Sequence, residues 1–183
     1  MRVPIVVSDR DLAAQLEPER LDAATFGAVY ERHRLPVYRY LRARTRSEAD
    51  ALDLAADTFE RAFASLGRFR HRDGGVQAWL FRIARNAAID ADRRRRPTVE
   101  LAGAATHLGR EAMETDRRNE TRNDVLALLA GLPDDQSEIL RLRYAGGLTA
   151  REIGAVVGKG ESAIQKQIER ALATLRKAVE DHD

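Results

Sequence analysis

Cysteine is absent from this 183-residue chain. That excludes disulfide frameworks and thiolate zinc sites, and it is compatible with a reducing cytoplasm, where we expect the protein to work. Aromatic residues make up only 5% of the sequence, with one tryptophan. So few aromatics in an Ala/Leu/Arg-rich chain suit helices better than sheets. No run of about 18 apolar residues occurs, so no membrane span is expected. The opening MRVPIVVSDRD turns acidic too soon for a signal peptide. The four histidines, His33, His71, His107 and His182, are too dispersed to suggest a metal site. Gly154 to Gly160 has a superficial likeness to a phosphate-binding loop. Its spacing is wrong, Gly160 stands where Ser or Thr is needed, and no strand precedes it. Nucleophile-elbow and dinucleotide fingerprints are also missing. We expect neither a cofactor nor an enzyme.

What is present is charge, unevenly placed. The formal net charge is only +2. Residues 20–96 nevertheless hold 17 Arg/Lys against 10 Asp/Glu, whereas residues 120–183 hold 9 against 11. The first half is therefore the one suited to a polyanion.

Apolar spacing predicts an all-α chain of two small helical domains. Residues 1–20, with Pro4 and Pro18, read as a loose tail. From Leu21 onward, Phe26, Val29, Tyr30, His33, Val37, Tyr40 and Leu41 recur on one helical face, with a kink or restart expected at Pro36. Ser47 followed by Glu48 and Asp50 marks a second helix, which Gly67 ends. A polar glycine-containing loop, 70–75, precedes two expected helices at about 76–85 and 87–95. Pro97 closes a first domain of 21–96. Residues 97–119 read as a flexible linker, and residues 120–183 as a second domain. In that domain a helix is expected at about 120–130 and another at 134–145, with Asp134 as N-cap.

Two patterns carry chemistry. In GVQAWLFRIARNAAIDADRRRR (75–96), aromatics, an amide and clustered arginines occur together. Such groups stack on unpaired bases, pair with base edges and hold phosphates. Trp79 and Phe81 lie two apart and cannot share one buried stripe; Trp79 reads as core and Phe81 stays open. Near the C-terminus, Thr149 and Glu152 form a capping box. Ile153, Val156 and Val157 make a short core face, Gly158-Lys159-Gly160 a tight turn, and Ile164, Ile168, Leu172 and Leu175 a longer helix. This is a helix-turn-helix, whose second helix would enter the major groove.

Taken together, these segments resemble the extracytoplasmic-function group of bacterial RNA polymerase sigma factors. DLAADTFERAFASLGRF (53–69) is similar to the family's region 2.2, AWLFRIARNAAID (78–90) to regions 2.3 and 2.4, and LPDDQSEILRLRYAGGLTAREIGAVVG (132–158) to region 4. The resemblance implies partners: core RNA polymerase, promoter DNA, and an anti-sigma factor that holds the protein inactive. It implies that Asn86 is a loop residue contacting a flipped minus-10 base, with a helix C-cap as the plain alternative. Phe81, Arg82, Arg85 and Arg93, Arg94, Arg95 and Arg96 would complete that surface. Asp53, Asp57, Phe59, Glu60 and Arg61 match the segment that docks on polymerase, although Ala56 stands where the family often has Gln. Arg151, Ser162, Gln165, Lys166, Gln167 and Arg170 would face the minus-35 element. Gln165 and Gln167 replace usual basic residues there, and glutamine can read adenine. The competing reading is a helix-turn-helix regulator that binds duplex DNA without joining polymerase.

Overall fold

A computed structural model describes residues 23–45, 47–70, 74–101 and 127–180. The tail at 1–20, most of the 97–119 linker and the start of the helix expected at 120 lie outside these residues. Among the described residues every regular element is helical.

The first domain holds α1 (Ala23–Arg42), α2 (Glu48–Ala64), a short 3-10 turn (Leu66–Arg68) and α3 (Gly75–Leu101). Helix α1 runs through Pro36 without the expected restart, carried by the stripe Val29, Val37, Tyr40 and Leu41, all fully buried. Ser47 caps α2 by accepting the Asp50 amide at 3.1 Å. Ala51, Leu54, Phe59 and Ala62 turn α2 inward.

Helix α3 departs from expectation. It is one helix, not two, and it continues past Pro97 to Leu101. No glycine or proline interrupts residues 76–96, and buried Ala84, Ala87 and Ala88 favour helix where the break was expected. Their small side chains let neighbours approach closely. Val76, Leu80 and Phe81 are also fully buried. This broad apolar band lets α3 pack on α1, on α2 and on the second domain.

The second domain comprises a helical end at 127–130, α4 (Asp134–Leu140) extended by a π-turn (Arg141–Ala145), α5 (Ala150–Val157) and α6 (Glu161–Glu180). Pro133 rather than Asp134 is the N-cap of α4, with no side-chain cap bond. The Pro133 carbonyl accepts from the amides of Gln136 and Ser137 and so starts the helix one residue earlier. Ile139, Leu142, Leu148, Ile153, Val156 and Ile164 join one continuous core with α1–α3. A smaller cluster of Leu129, Leu132, Leu140 and Ala171 holds the base of α6. Each fully buried Leu, Ile or Phe contributes about 1.5–3 kcal/mol, so the shared core joins the two domains firmly.

Candidate nucleic-acid interface

The helix-turn-helix is built as its residues dictate. Thr149 and Glu152 close the capping box: the Thr149 amide donates to Glu152 Oε2 at 2.7 Å, and the Glu152 amide to Thr149 Oγ1 at 3.3 Å. Gly158 takes the left-handed backbone, φ 74°, that ends α5. At Gly154 a Cβ would collide with the Lys159 carbonyl oxygen, so the turn closes only over glycine. Ser162, Gln165, Lys166 and Arg170 are exposed on α6, and Arg151 on α5. Gln167 is a correction: it is half-buried, its Nε2 donates to Asp135 Oδ2 at 3.3 Å, and its Oε1 accepts from Lys159 Nζ at 3.3 Å. Its position turns the amide toward the start of α4 rather than outward.

On α3, Arg82, Asn86, Arg93 and Arg94 are exposed. The side chains of Arg95 and Arg96 lie outside the described residues. Asn86 stands within a continuous helix, not in a loop, so neither the loop placement nor the C-cap alternative holds. Phe81 is a further correction. It is 0% exposed, with its ring 5.4 Å from Tyr40 and pressed close to Gly146 of the second domain. Buried on both sides, it offers no face to a base. Trp79 is half-buried, edge-on to Phe69 at 5.0 Å.

The polymerase-docking set is mixed. Asp53 and Glu60 are exposed. Arg61 reaches Asp57 at 2.8 Å and Asp90 at 3.4 Å; the Asp57 hydrogen bond raises its pKa. Phe59 is buried, edge-on to Tyr30 at 4.8 Å, and is corrected from a contact to a core residue. Beside it runs a groove of about 420 Å³ lined by Tyr30, Leu35, Tyr38, Leu52 and Ala56. Leu52 is 53% exposed.

Sequence reasoning missed the polar network at the domain junction. The Tyr40 hydroxyl donates to Glu138 Oε1 at 2.6 Å. Arg44 bridges Glu138 Oε2 and Asp92, the latter at 3.6 Å. Arg85 Nε lies 3.4 Å from Glu138 Oε1, whose side chain is 8% exposed. Arg82 donates to the Ala155 carbonyl at 2.8 Å. Burial pushes the Tyr40 hydroxyl well above its ordinary pKa, and Glu138 adds to the effect. Burial lowers the pKa of the Arg141 guanidinium nearby. The one available signal was a glutamate flanked by Ser137 and Ile139 at the inward turn of α4.

These surfaces define a helical protein with a helix-turn-helix at one end and an exposed amide-and-arginine face on a central helix. Residues 29–98 match the family model "Sigma-70 region 2", and residues 122–175 match "Sigma-70, region 4". The ECF RNA polymerase sigma factor BldN of Streptomyces coelicolor is 31% identical over 182 residues, covering 95% of this chain and 69% of BldN. The structure of CnrH in complex with the cytosolic domain of CnrY aligns with TM-score 0.71 and 28% identity, covering 96% of this chain and 98% of that one. The sigma factor RpoE from Bartonella quintana, solved with the anti-sigma factor NepR, shares the fold, with TM-score 0.65 and 22% identity over 85% of this chain and 96% of that one. The chain belongs to the extracytoplasmic-function family of RNA polymerase sigma factors. It serves transcription initiation as a DNA-binding polymerase subunit; sigma factors are not catalysts in their own right. No described helix is long and apolar enough to cross a membrane.

Proposed function

We propose a division of labour among these surfaces. The domain within 21–96 takes the melted minus-10 strand on Asn86, Arg82, Arg85 and Arg93 to Arg96, and it docks on core polymerase through Asp53, Asp57, Glu60 and Arg61. The apolar groove at Leu52 adds desolvated contact area beside that charged face. The domain within 120–183 reads the minus-35 duplex through Ser162, Gln165, Lys166 and Arg170, with Arg151 on phosphate. The segment 97–119, which joins them as a linker, is helical as far as Leu101. The carrying observation is that an exposed amide-and-arginine face and an exposed recognition helix occur in one chain. Duplex reading needs the second face, and single-strand capture needs the first.

An anti-sigma factor is the second partner, as for the Bartonella sigma factor bound to NepR. Its action, like that of the polymerase, is in the cytoplasm. Run-off transcription tests the reading: core polymerase is given fragmented genomic DNA with and without this protein. Discrete transcripts that require the protein are expected. Duplex binding without transcripts would assign it to the helix-turn-helix regulators instead.

A further inference from the structure

We infer that the chain carries a small-ligand site: a recess between α3 and α4, walled also by the end of α5, that binds a phosphorylated molecule of the nucleotide class. Nothing in it depends on promoter binding. Two of its arginines, Arg85 and Arg93, are shared with the proposed strand face, so competition tells a strand from a small ligand.

The recess has a volume of about 570 Å³, the size of small-molecule sites. Its anion-seeking group is Arg141, which opens the π-turn; widened turns of this kind are frequent at functional sites. Arg141 is half-buried, its Nε is buried without a hydrogen-bond acceptor, and no ion pair to it is described. Burial holds its pKa below the ordinary value, as for a cation that has lost water without full compensation. Three acids of the recess are already engaged. Glu138 is shared by Tyr40, Arg44 and Arg85, Asp92 meets Arg44, and Asp135 meets Lys159 and Gln167. Arg44 and Arg85 still each keep a buried Nε without an acceptor; the 3.4 Å approach of Arg85 to Glu138 is an ion pair without a hydrogen bond. Arg93 is exposed on the same wall. A phosphate group accepts from several such planar donors at once.

The rest of the lining narrows the ligand. Asp92, Asp134 and Asp135 repel the successive phosphates of a continuous strand, but they accept hydroxyl and amino hydrogens from a compact molecule. Ile89, Ile139 and Val157 give an apolar wall for a ring. Phosphate at one end and a hydrogen-bonding ring at the other therefore match the recess, whereas a bare polyanion does not.

Calorimetry on the full-length chain, with inorganic pyrophosphate and guanosine diphosphate as probes up to about 1 mM, is the test. Both probes are expected to bind, the nucleotide more tightly. Arg141→Met keeps the apolar length and removes the charge, and it should weaken both about tenfold or more. Arg93→Gln, at an exposed site, should weaken both as well. Arg176→Gln, exposed on α6 outside the recess, should weaken neither. Asp134→Asn should weaken the nucleotide more than pyrophosphate. Thermal unfolding checks that each variant is folded; if Arg141→Met is not, Arg93→Gln and Asp134→Asn carry the test. No heat from either probe overturns the inference, as does binding that ignores the Arg141 and Arg93 substitutions. Equal affinity for the two probes overturns the nucleotide class. A short random single strand of DNA is then added to the nucleotide-loaded chain. If it displaces the nucleotide and its own affinity falls with Arg141→Met, the recess belongs to the strand path and the small-ligand site fails. Strand binding that ignores Arg141→Met upholds it, whatever becomes of the promoter reading.

Discussion

The hydroxyl of Tyr40 donates to the carboxylate of Glu138 at 2.6 Å, across 98 positions of sequence. It joins α1 to α4 inside a buried site that also holds Arg44 and Arg85, with Arg141 close by. Tyr40→Phe removes the donor and leaves Glu138 with fewer partners, which costs about 1–3 kcal/mol. The pH dependence has a definite sign. Burial raises the Tyr40 pKa above its ordinary 10.0, so above pH 10 the unfolded chain gives up this proton while the folded chain keeps it. The contribution is complete below pH 10 and is lost as pH rises beyond it. Urea midpoints measured from pH 8 to 11 will fall more steeply for the wild type than for Tyr40→Phe. Parallel curves would show that the tyrosine is not ionisation-linked to folding.

The helix-turn-helix depends on Gly154. Its hydrogen atom faces the Lys159 carbonyl oxygen, where a Cβ has no room, and that obstacle is backbone, which cannot swing aside. Gly154→Ala is expected to destabilise the protein by about 1–3 kcal/mol and to weaken duplex binding with it. Gly160→Ala is the control. No described atom lies within 4 Å of its added Cβ, so its effect stays below about 1 kcal/mol. Thermal unfolding of the two variants separates them; equal losses would contradict the geometry.

Asn86 is exposed on α3 and supports no part of the core. Asn86→Ala should leave stability unchanged or raise it slightly, since alanine is the better helix former by several tenths of a kcal/mol. Promoter melting and minus-10 preference should fall while affinity for core polymerase holds. An equal loss of polymerase affinity would make Asn86 a structural residue.

Local signals carried well from sequence to structure where the chemistry was local. Ser47, the Thr149–Glu152 box and the Gly158 turn each act within a few residues, so their spacing alone revealed them. Errors arose where tertiary packing decides. Phe59 and Phe81 were read as contacts because a sequence does not show which side of a helix a second domain covers. The break expected at Asn86 failed because buried alanines on both sides keep α3 intact. Glu138 was missed because a glutamate is buried only when partners such as Tyr40 and Arg44 arrive from far away in sequence.

On the proposed reading, α6 divides into side chains that set affinity and side chains that set sequence preference. Lys166 is exposed near the start of α6, and in the proposed role its ammonium meets phosphate as a point charge. Lys166→Ala should weaken binding to all duplexes alike and reduce the salt slope by about 1. Gln165 is exposed one position earlier, and its amide can pair with an adenine edge. Gln165→Ala should cost about 1–3 kcal/mol at one base position only and relax preference there. Gln167 is tied to Asp135 and Lys159, so Gln167→Ala should change base preference little. Fluorescence anisotropy against a panel of single-base promoter variants at two salt concentrations reads all three. If Gln167→Ala alters base preference as much as Gln165→Ala, the side chain leaves Asp135 when DNA binds, and the inward placement belongs to the free protein only.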